Sequence, residues 1–261
     1  MARVIAIANQ KGGVGKTTTA INLAACLAAA DLKTLLVDMD PQSNATSGLG
    51  VRVPEGSPTL YEVLVDGAEL ASTLQRTELD SLWVAPASYE LVGAELELVN
   101  DEHRAYHLRR ALESVRADYD YVVLDGPPSL GILTVNALCV ADSVIVPIQC
   151  EYLALEGLSR MLQTLDRVRD SLNPGLQLEG ILLTMVDPRM NLTRQVVADV
   201  RAHFPGQVFE AEVPRNVRLG EAPSFGQPII LYDLRSSGAR AYLNLMREVV
   251  RNGKKGTRAR S

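Results

Sequence analysis

The chain contains the stretch Lys11-Gly-Gly-Val-Gly-Lys-Thr-Thr18, which joins a short apolar run, Val4 to Ala8, to a helical pattern from Thr17 to Ala30. Apart from a replaced first glycine, the stretch matches the phosphate-loop pattern G-x-x-x-x-G-K-[ST]. A strand, a glycine-rich turn and a helix in this order give that pattern its physical meaning. The alternative is an ordinary glycine-rich turn, and the strand and helix on either side argue against it.

The residue types of this turn suit a phosphate ligand. The three glycines within residues 12–15 let backbone N–H groups converge on an anion without interference from Cβ atoms. The dipole of the following helix adds positive potential at the same place. We therefore expect Lys16 to neutralise the β- and γ-phosphates, Thr17 to coordinate Mg²⁺ and Thr18 to donate to the α-phosphate.

Two further strand patterns end in carboxylates. Leu35-Leu-Val-Asp-Met-Asp-Pro-Gln42 contains Asp38 and Asp40, and Tyr121-Val-Val-Leu-Asp125 has the form of a Walker B strand. Parallel sheets form their sites at the carboxyl ends of strands, so we expect Asp125 to lie near Mg²⁺. Acids at strand ends are common in α/β proteins, and only the phosphate loop makes the functional interpretation the better one.

The lysine ahead of the glycines, Lys11, is not required by a standard phosphate loop. With it, the string KGGVGKTT resembles the deviant Walker A motif of the ParA/MinD family of ATPases. Asp38–Gln42 is similar to the D-x-D-P-Q motif of that family, and Asp125–Pro128 to its D-x-P-P motif. Val213–Ser224 is similar to the V-P-R-N-V-R-L-x-E-A-P-S stretch of chromosomal ParA (Soj) proteins, and the resemblance extends from about residue 3 to about residue 250.

The resemblance implies an ATPase that uses ATP and Mg²⁺, dimerises when ATP is bound and turns over slowly until a partner stimulates it. It implies nonspecific binding of double-stranded DNA and partitioning of chromosomes or plasmids with a ParB-type partner. Lys11 would reach the nucleotide of the other subunit, as an arginine finger does. Without the resemblance, Lys11 is equally consistent with a solvated loop lysine.

Site residues follow from the resemblance together with the motifs. Asp40 would place the attacking water, and Asp38 would support Mg²⁺ and the loop geometry. The predicted catalytic residues are Lys11, Lys16 and Asp40. The predicted metal ligands are Thr17, Asp38 and Asp125. The predicted nucleotide-binding residues are Lys11, Gly12, Gly13, Val14, Gly15, Lys16, Thr17 and Thr18, with Pro214 and Asn216 beside the adenine.

Composition is typical of a soluble globular protein, with 47% hydrophobic and 22% charged residues among 261. No apolar run approaches the length of a membrane span, and the start Met-Ala-Arg shows no signal peptide. The three cysteines have no C-x-x-C spacing, which argues against a zinc or iron–sulfur site. We expect a cytoplasmic, nucleoid-associated protein.

Charge is unevenly distributed along the chain. Residues 1–212 contain 16 basic and 28 acidic side chains, whereas residues 213–261 contain 10 basic and 3 acidic ones. Such a basic end can bind a polyanion even in a protein of net charge −5. The predicted DNA-binding residues are Arg189, Arg215, Arg218, Arg247 and Arg251. For any single arginine, a solvated face or an ion pair is the alternative.

Apolar, β-branched runs alternate with helical patterns, which predicts an α/β fold. We expect a single-domain, mainly parallel twisted sheet with helices on both faces, of the P-loop NTPase type, over residues 1–250. Residues 251–261 are expected to form a basic, disordered tail. Strands are predicted at 4–8, 34–37, 82–85, 121–124, 143–148, 180–185 and 208–213. Helices are predicted at 17–30, 105–117, 153–172, 192–204 and 238–250.

Two other functions use the same motifs. A MinD-like ATPase that positions cell division would need an amphipathic C-terminal helix for the membrane, and the last ten residues contain no bulky apolar side chain to insert. We therefore expect no stable membrane insertion. An ATP-dependent synthetase or small-molecule kinase would have little use for Lys11 or for a basic end.

Overall fold

A central β-sheet organises the protein in the computed structural model, which describes residues 1–258 except the side chains of Glu95 and of residues 254–258. Within the described residues the sheet has seven strands in the order β3-β4-β2-β5-β1-β6-β7. Neighbouring strands are parallel except β3 and β4. The strands are β1 Arg3–Ile7, β2 Thr34–Asp38, β3 Gln75–Arg76, β4 Leu82–Ala85, β5 Tyr121–Asp125, β6 Ser143–Gln149 and β7 Gln177–Thr184.

Helices cover both faces of this sheet. They are α1 Lys16–Ala28, α2 Asn44–Gly48, α3 Leu60–Val65, α4 Leu70–Thr73, α5 Leu91–Glu97, α6 His107–Glu113, α7 Ile132–Val140, α8 Ala154–Ser171, α9 Asn191–His203, α10 Val217–Glu221, α11 Ile229–Tyr232 and α12 Ser237–Arg258. Short 3₁₀ turns follow three of them, at Leu98–Asn100, Arg116–Asp118 and Ala222–Phe225. The predicted fold class is confirmed.

Strand β1 shows why its sequence is apolar without alternation. Val4 and Ala6 pack into one buried cluster, and Ile5 and Ile7 pack into a second cluster on the opposite face. Because successive side chains of a strand point to opposite faces, a strand covered on both sides must be apolar at every position. The sheet therefore lies between two hydrophobic cores and contributes side chains to both.

Helix α1 lies against α12 over one of these cores. The hydroxyls of Thr19 and Tyr242 are 3.2 Å apart, and both side chains are buried. This contact joins the helix after the phosphate loop to the C-terminal helix. It thereby holds the first turn of α1 in place beneath the loop.

Three expectations about elements differ from the structure. Residues 208–213 form no strand of the sheet: Val208 makes an isolated bridge to Ile181 of β7, and the backbone N–H groups of Glu210 and Ala211 donate to the Glu248 carboxylate instead of a neighbouring strand. The predicted helix 105–117 is limited to α6 and a 3₁₀ turn. The last helix does not end near Val250 but continues to Arg258, so the expected disordered tail is helical up to there, and residues 259–261 lie outside the described residues.

The carboxyl ends of three central strands meet at one edge of the sheet. Asp38 at the end of β2 is in register with Asp125 at the end of β5, and Asp125 is in register with Ile7 at the end of β1. The phosphate loop follows β1 directly. The parallel arrangement therefore places both acids beside this loop. Within the described residues no helix is both long and apolar enough to cross a membrane.

Candidate nucleotide site

The phosphate loop has the backbone geometry that its glycines predict. Gly13 and Gly15 have φ values of 73° and 86°, in the left-handed region that side chains with a Cβ rarely adopt. Gly15 caps α1, and its carbonyl accepts the N–H of Thr19 at 2.9 Å. The loop therefore ends by directing the first turn of α1 toward the space above the sheet, where an anion would meet the positive end of the helix dipole.

Two polar side chains that the sequence analysis did not select brace this loop. The Asn9 amide donates to the Pro147 carbonyl at 2.7 Å and accepts from the Lys11 N–H at 3.0 Å. The Thr184 hydroxyl lies 2.9 Å from the Val14 carbonyl. Because Pro147 and Thr184 belong to β6 and β7, the loop is fastened to two strands that follow it by more than a hundred residues.

Lys16 is nearly buried within the loop. Its Nζ donates to the Lys11 carbonyl at 3.1 Å. Burial lowers the pKa of Lys16, and the nearby acids Asp125 and Asp40 act in the opposite direction. No direct salt bridge with either acid is formed among the described residues. The ammonium is thus held in place by the backbone and remains available for a phosphate oxygen.

Asp38 is fully buried and anchored by the loop that follows β2. It accepts from the Thr46 hydroxyl at 2.7 Å, from the Thr46 N–H at 2.8 Å and from the Asp40 N–H at 3.2 Å. Burial raises its pKa to about 6, and the hydrogen bonds from Thr46 oppose the rise. Thr46, which the sequence analysis missed, therefore ties α2 to the carboxylate.

Asp125 is the most exceptional acid of the site. It is fully buried, and within residues 1–258 neither of its carboxylate oxygens has a hydrogen-bond partner of normal geometry. Burial raises its pKa well above the usual range, with a further rise from Asp38; the Thr17 hydroxyl and the Lys16 ammonium counteract it. A buried polar group without a partner costs stability, so its presence at the edge of the sheet indicates a ligand.

These donors fit Mg²⁺. The described residues contain no cluster of three or more His, Cys, Asp or Glu side chains suited to a metal. Mg²⁺, however, is usually held by one or two carboxylates together with substrate phosphates and water. Asp125 and Asp38, with the Thr17 hydroxyl at the start of α1, offer that kind of incomplete oxygen set.

Asp40 lies in a tight turn beyond the end of β2. Its carboxylate accepts the Gln42 N–H at 3.0 Å and its carbonyl accepts the Ser43 N–H at 2.9 Å. Ser43 has a φ of 53°, an uncommon value for a residue other than glycine. Backbone strain of this kind concentrates at functional sites, and here it adjoins the predicted water-placing acid.

Lys11 differs from Lys16 in its surroundings. Its side chain is 47% exposed, and its Nζ lies 3.0 Å from a carboxylate oxygen of Glu151 in the loop after β6. Gly12 is exposed as well: the nearest atom to a Cβ built on it, the Cβ of Pro128, is 4.0 Å away. This part of the loop therefore faces outward.

The two predicted adenine contacts lie beyond the end of β7. Pro214 bridges to Val186, and Asn216 caps α10: its oxygen accepts the Arg218 N–H and its amide donates to the Ser237 hydroxyl, both at 2.8 Å. Both polar atoms of Asn216 thus have structural partners. Contact of Pro214 and Asn216 with adenine stays a prediction.

The predicted DNA-binding arginines fall into two groups. Arg189 donates two hydrogen bonds from its guanidinium and one from its backbone N–H to Asp187, and these bonds lower the pKa of that acid to about 2. Arg218 pairs with Glu221. The others are exposed and form no salt bridge in the described part of the chain; they are Arg215, Arg247 and Arg251. Whether each contacts DNA stays a prediction.

Comparison with known proteins agrees with the motifs and the fold. A family model described as an AAA domain matches residues 2–178. The chromosome partitioning protein ParA of Myxococcus xanthus is 58% identical over 95% of this chain and 88% of its own length. The sporulation initiation inhibitor protein Soj of Bacillus subtilis is 54% identical over 97% of this chain and 100% of its own length.

A solved structure shares the whole fold. Cobyrinic acid a,c-diamide synthase from Mycobacterium smegmatis, crystallised with bound ADP and magnesium, is 38% identical with a TM-score of 0.86, over 98% of this chain and 97% of that one. The phosphate loop, the paired acids at the strand ends and the high identity to ParA and Soj all agree. The chain belongs to the ParA/Soj family of chromosome-partitioning ATPases.

Proposed function

We propose that this ATPase is a dimerising switch that binds DNA nonspecifically when ATP is bound and releases it on hydrolysis, to partition a chromosome or plasmid. A ParB-type partner stimulates the hydrolysis. Family membership supports the ATPase activity and the partitioning role. The dimer, the DNA contact and the partner are proposed from the surface of the chain.

ATP and Mg²⁺ occupy the edge of the sheet where β1, β2 and β5 end. The backbone of residues 12–15 and the ammonium of Lys16 hold the phosphates. Thr17, Asp38 and Asp125 are the residues that hold Mg²⁺, which neutralises phosphate charge when bound. Asp40 accepts a proton from the attacking water or orients it, from a turn fixed by its bond to Gln42.

The observation on which the dimer proposal rests is the contrast between the two lysines of one loop. Lys16 is buried and serves the nucleotide of its own subunit, whereas Lys11 is exposed and pairs with another exposed side chain, Glu151. An exposed pair of this kind contributes little to stability. Lys11 is therefore free to exchange Glu151 for a phosphate in a second subunit.

The surface around Lys11 suits such a dimer. Exposed apolar side chains follow β5, β6 and β7 at the same edge of the sheet; they are Leu130, Tyr152, Leu153 and Met190. Interfaces are commonly built from apolar and aromatic side chains of this type. Two copies that meet through this edge would enclose both nucleotides.

DNA binds through a basic face centred on α12. Arg240, Arg247 and Arg251 are exposed and recur at helical spacing, so they share one side of α12. Arg189 and Arg218, whose side chains are more than half exposed, join them when phosphates replace their acidic partners Asp187 and Glu221. Phosphate contacts of this kind are independent of sequence and sensitive to salt. A cytoplasmic, nucleoid-associated location follows from this proposal.

Two rival functions receive less support. A membrane-docking switch needs an apolar helix face, but the apolar residues of α12, such as Tyr242, Leu245 and Val249, are buried in the core. A synthetase function would follow the name of the Mycobacterium smegmatis structure. That protein is 38% identical to this chain, whereas ParA from Myxococcus xanthus is 58% identical to it.

The test is gel filtration with light scattering of Asp40→Ala in ATP and Mg²⁺. Because this variant should bind ATP without hydrolysing it, we expect a stable dimer of twice the 28.3 kDa chain mass, bound to DNA. A double variant that adds Gly12→Ala should bind ATP as a monomer, since a Cβ on residue 12 makes only an ordinary 4.0 Å contact within the subunit but obstructs the loop of a second subunit. Asp40→Ala that binds ATP and stays monomeric would contradict the proposal.

A further inference from the structure

Helix α5 and the 3₁₀ turn after it present an apolar stripe to solvent. Tyr89, Val92, Leu96 and Val99 are between 50% and 78% exposed. Their spacing of three, four and three residues places them on one side of the helix. Such contiguous exposed apolar side chains mark an interaction surface.

The opposite side of α5 already supplies the packing that the helix needs. Leu91, Ala94 and Leu98 are buried in the core cluster on that face of the sheet. The stripe is therefore not required to hold α5 in place. Within the described residues it has no covering element, because its members remain largely exposed.

Acidic side chains surround the stripe. Glu90, Glu97 and Glu102 are exposed along the same segment. Arg104 is the neighbouring cation, and its guanidinium already donates to the Val99 carbonyl. This charge repels nucleic acid and anionic lipid, and it attracts Lys and Arg. The occupant that fits is a protein segment with apolar side chains flanked by basic ones.

Hydrogen bonds connect the base of α5 to the nucleotide site. The Leu91 N–H donates to the Ser88 carbonyl at 3.2 Å, and the Ala87 N–H donates to the Thr46 hydroxyl at 3.3 Å. The same hydroxyl donates to Asp38 at 2.7 Å. A shift of α5 can therefore act on Asp38 through a single threonine.

We propose that the stripe of Tyr89, Val92, Leu96 and Val99 binds an amphipathic basic segment of a partner protein, and that Thr46 transmits this binding to Asp38. The α5 segment packs into the core cluster on one face of the sheet through Leu91 and Leu98, and α12 packs into the cluster on the opposite face, so partner and DNA can be bound together. The proposal rests on the proposed function only for the source of the segment, which is the partner of the switch.

Binding is tested with the full chain and a synthetic amphipathic peptide of about 18 residues built from Leu and Lys. The double variant Val92→Ser/Leu96→Ser should bind it at least about 10-fold more weakly than wild type, because hot-spot apolar contacts are lost. Leu234→Ser removes a leucine that is 60% exposed elsewhere and should bind normally. A peptide with Glu in place of Lys should not bind.

Equal peptide affinity of wild type and the double variant would overturn the proposed surface, as would equal binding of the Glu peptide. Neither measurement needs a dimer, DNA or hydrolysis. Failure of the surface is therefore distinguishable from failure of the switch.

Coupling is tested by comparing peptide affinity with and without ATP and Mg²⁺. Because coupling between sites is reciprocal, wild type should show a difference of about 5-fold or more. Thr46→Val should abolish the difference, and Thr46→Ser, which keeps the hydroxyl, should retain it. The same affinity in both states of wild type, or an unchanged difference in Thr46→Val, would contradict the role of Thr46.

Discussion

Each of the two edges of the central sheet contains a buried carboxylate, but the two carboxylates differ in their partners. At the amino-terminal edge, the Glu179 side chain on β7 is only 3% exposed. One of its oxygens accepts from the Arg3 guanidinium and the Ser143 hydroxyl, and the other has no partner among the described residues. At the carboxyl-terminal edge, both oxygens of Asp125 have no partner of normal geometry among the described residues. Glu179 forms an ion pair with Arg3, whereas Asp125 forms no ion pair within the described residues, although the Lys16 ammonium lies near enough to oppose the rise in its pKa.

A wide cleft of about 1060 Å³ makes the amino-terminal edge look like a second site. Most of its charged groups, however, bind one another: Arg3 pairs with Glu179, and Arg116 pairs with Asp142 at 2.6 Å. Asp142 also accepts the Val4 N–H at 2.8 Å. The cleft is thus lined by residues whose hydrogen bonds and ion pairs connect the beginning of β1 to the beginning of β6. The volume of a cleft alone therefore does not distinguish a ligand site from a junction between strands.

The difference indicates how each edge contributes to the protein. A buried acid with its own cation stabilises only modestly, but removal of either partner leaves a charge uncompensated. A buried acid without a partner costs stability and is retained where a ligand supplies the missing charge. We therefore expect substitutions at one edge to change folding and at the other to change activity.

The largest effect on stability is expected for Glu179→Ala. It leaves the half-buried Arg3 and the Ser143 hydroxyl without their acceptor, so the free energy of unfolding should fall by about 3 kcal/mol. Urea denaturation of the nucleotide-free protein measures this. Glu179→Gln, which keeps an acceptor, should lose less, and both variants should bind ATP as wild type does below the melting transition. A specific loss of ATP affinity in either variant would show that the amino-terminal edge of the sheet also contributes to nucleotide binding.

A smaller effect of opposite sign is expected for Asp125→Asn. Because the fold disfavours the ionised form of this buried, unpartnered carboxyl, unfolding of the variant at pH 8 should cost about 1–2 kcal/mol more than unfolding of wild type, while hydrolysis falls by about 100-fold or more. Asp118→Asn, at an exposed acid, is the control and should change neither quantity.

The pH dependence of this gain follows from the direction of the pKa shift. Burial raises the pKa of Asp125, so the folded state disfavours the ionised carboxylate. The penalty is fully present above the folded pKa and vanishes below the unfolded value of about 3.9. The stability advantage of Asp125→Asn should therefore shrink as the pH is lowered. An advantage that grows toward acidic pH would show that the carboxylate is stabilised in the fold.

Sequence patterns alone predicted most of the sheet and the residues that line the phosphate loop. The apolar runs before Lys11, Asp40 and Asp125 are β1, β2 and β5, because parallel strands buried on two faces leave little choice of residue. The same rule explains an omission: α7, Ile132–Val140, is apolar on all sides and gives no helical periodicity.

The supporting residues could not be predicted in this way. Asn9, Thr46 and Thr184 are ordinary polar residues in the sequence, and their roles come from partners that only the fold brings near. For Asn9 and Thr184 those partners lie 138 and 170 residues away. The Glu151 partner of Lys11 is of the same kind. Local patterns do not encode contacts between distant segments.

The smallest effect on stability is expected for Lys11→Ala, at the exposed end of the phosphate loop. Its ion pair with Glu151 is about half exposed on both sides, so the free energy of unfolding should change by less than about 0.5 kcal/mol. Glu151→Gln breaks the same ion pair and should have an equally small effect.

The two variants are expected to differ in dimerisation, because Lys11→Ala removes the ammonium of residue 11 and Glu151→Gln keeps it. In the Asp40→Ala background, addition of Lys11→Ala should leave ATP binding intact and abolish the dimer, whereas addition of Glu151→Gln should preserve it. Equilibrium binding of a fluorescent ATP analogue and light scattering measure the two properties. A dimer that forms without Lys11 would show that this lysine has only a structural role, like the charged residues at the opposite edge of the sheet. Asp125 would then be the residue that still distinguishes the two edges.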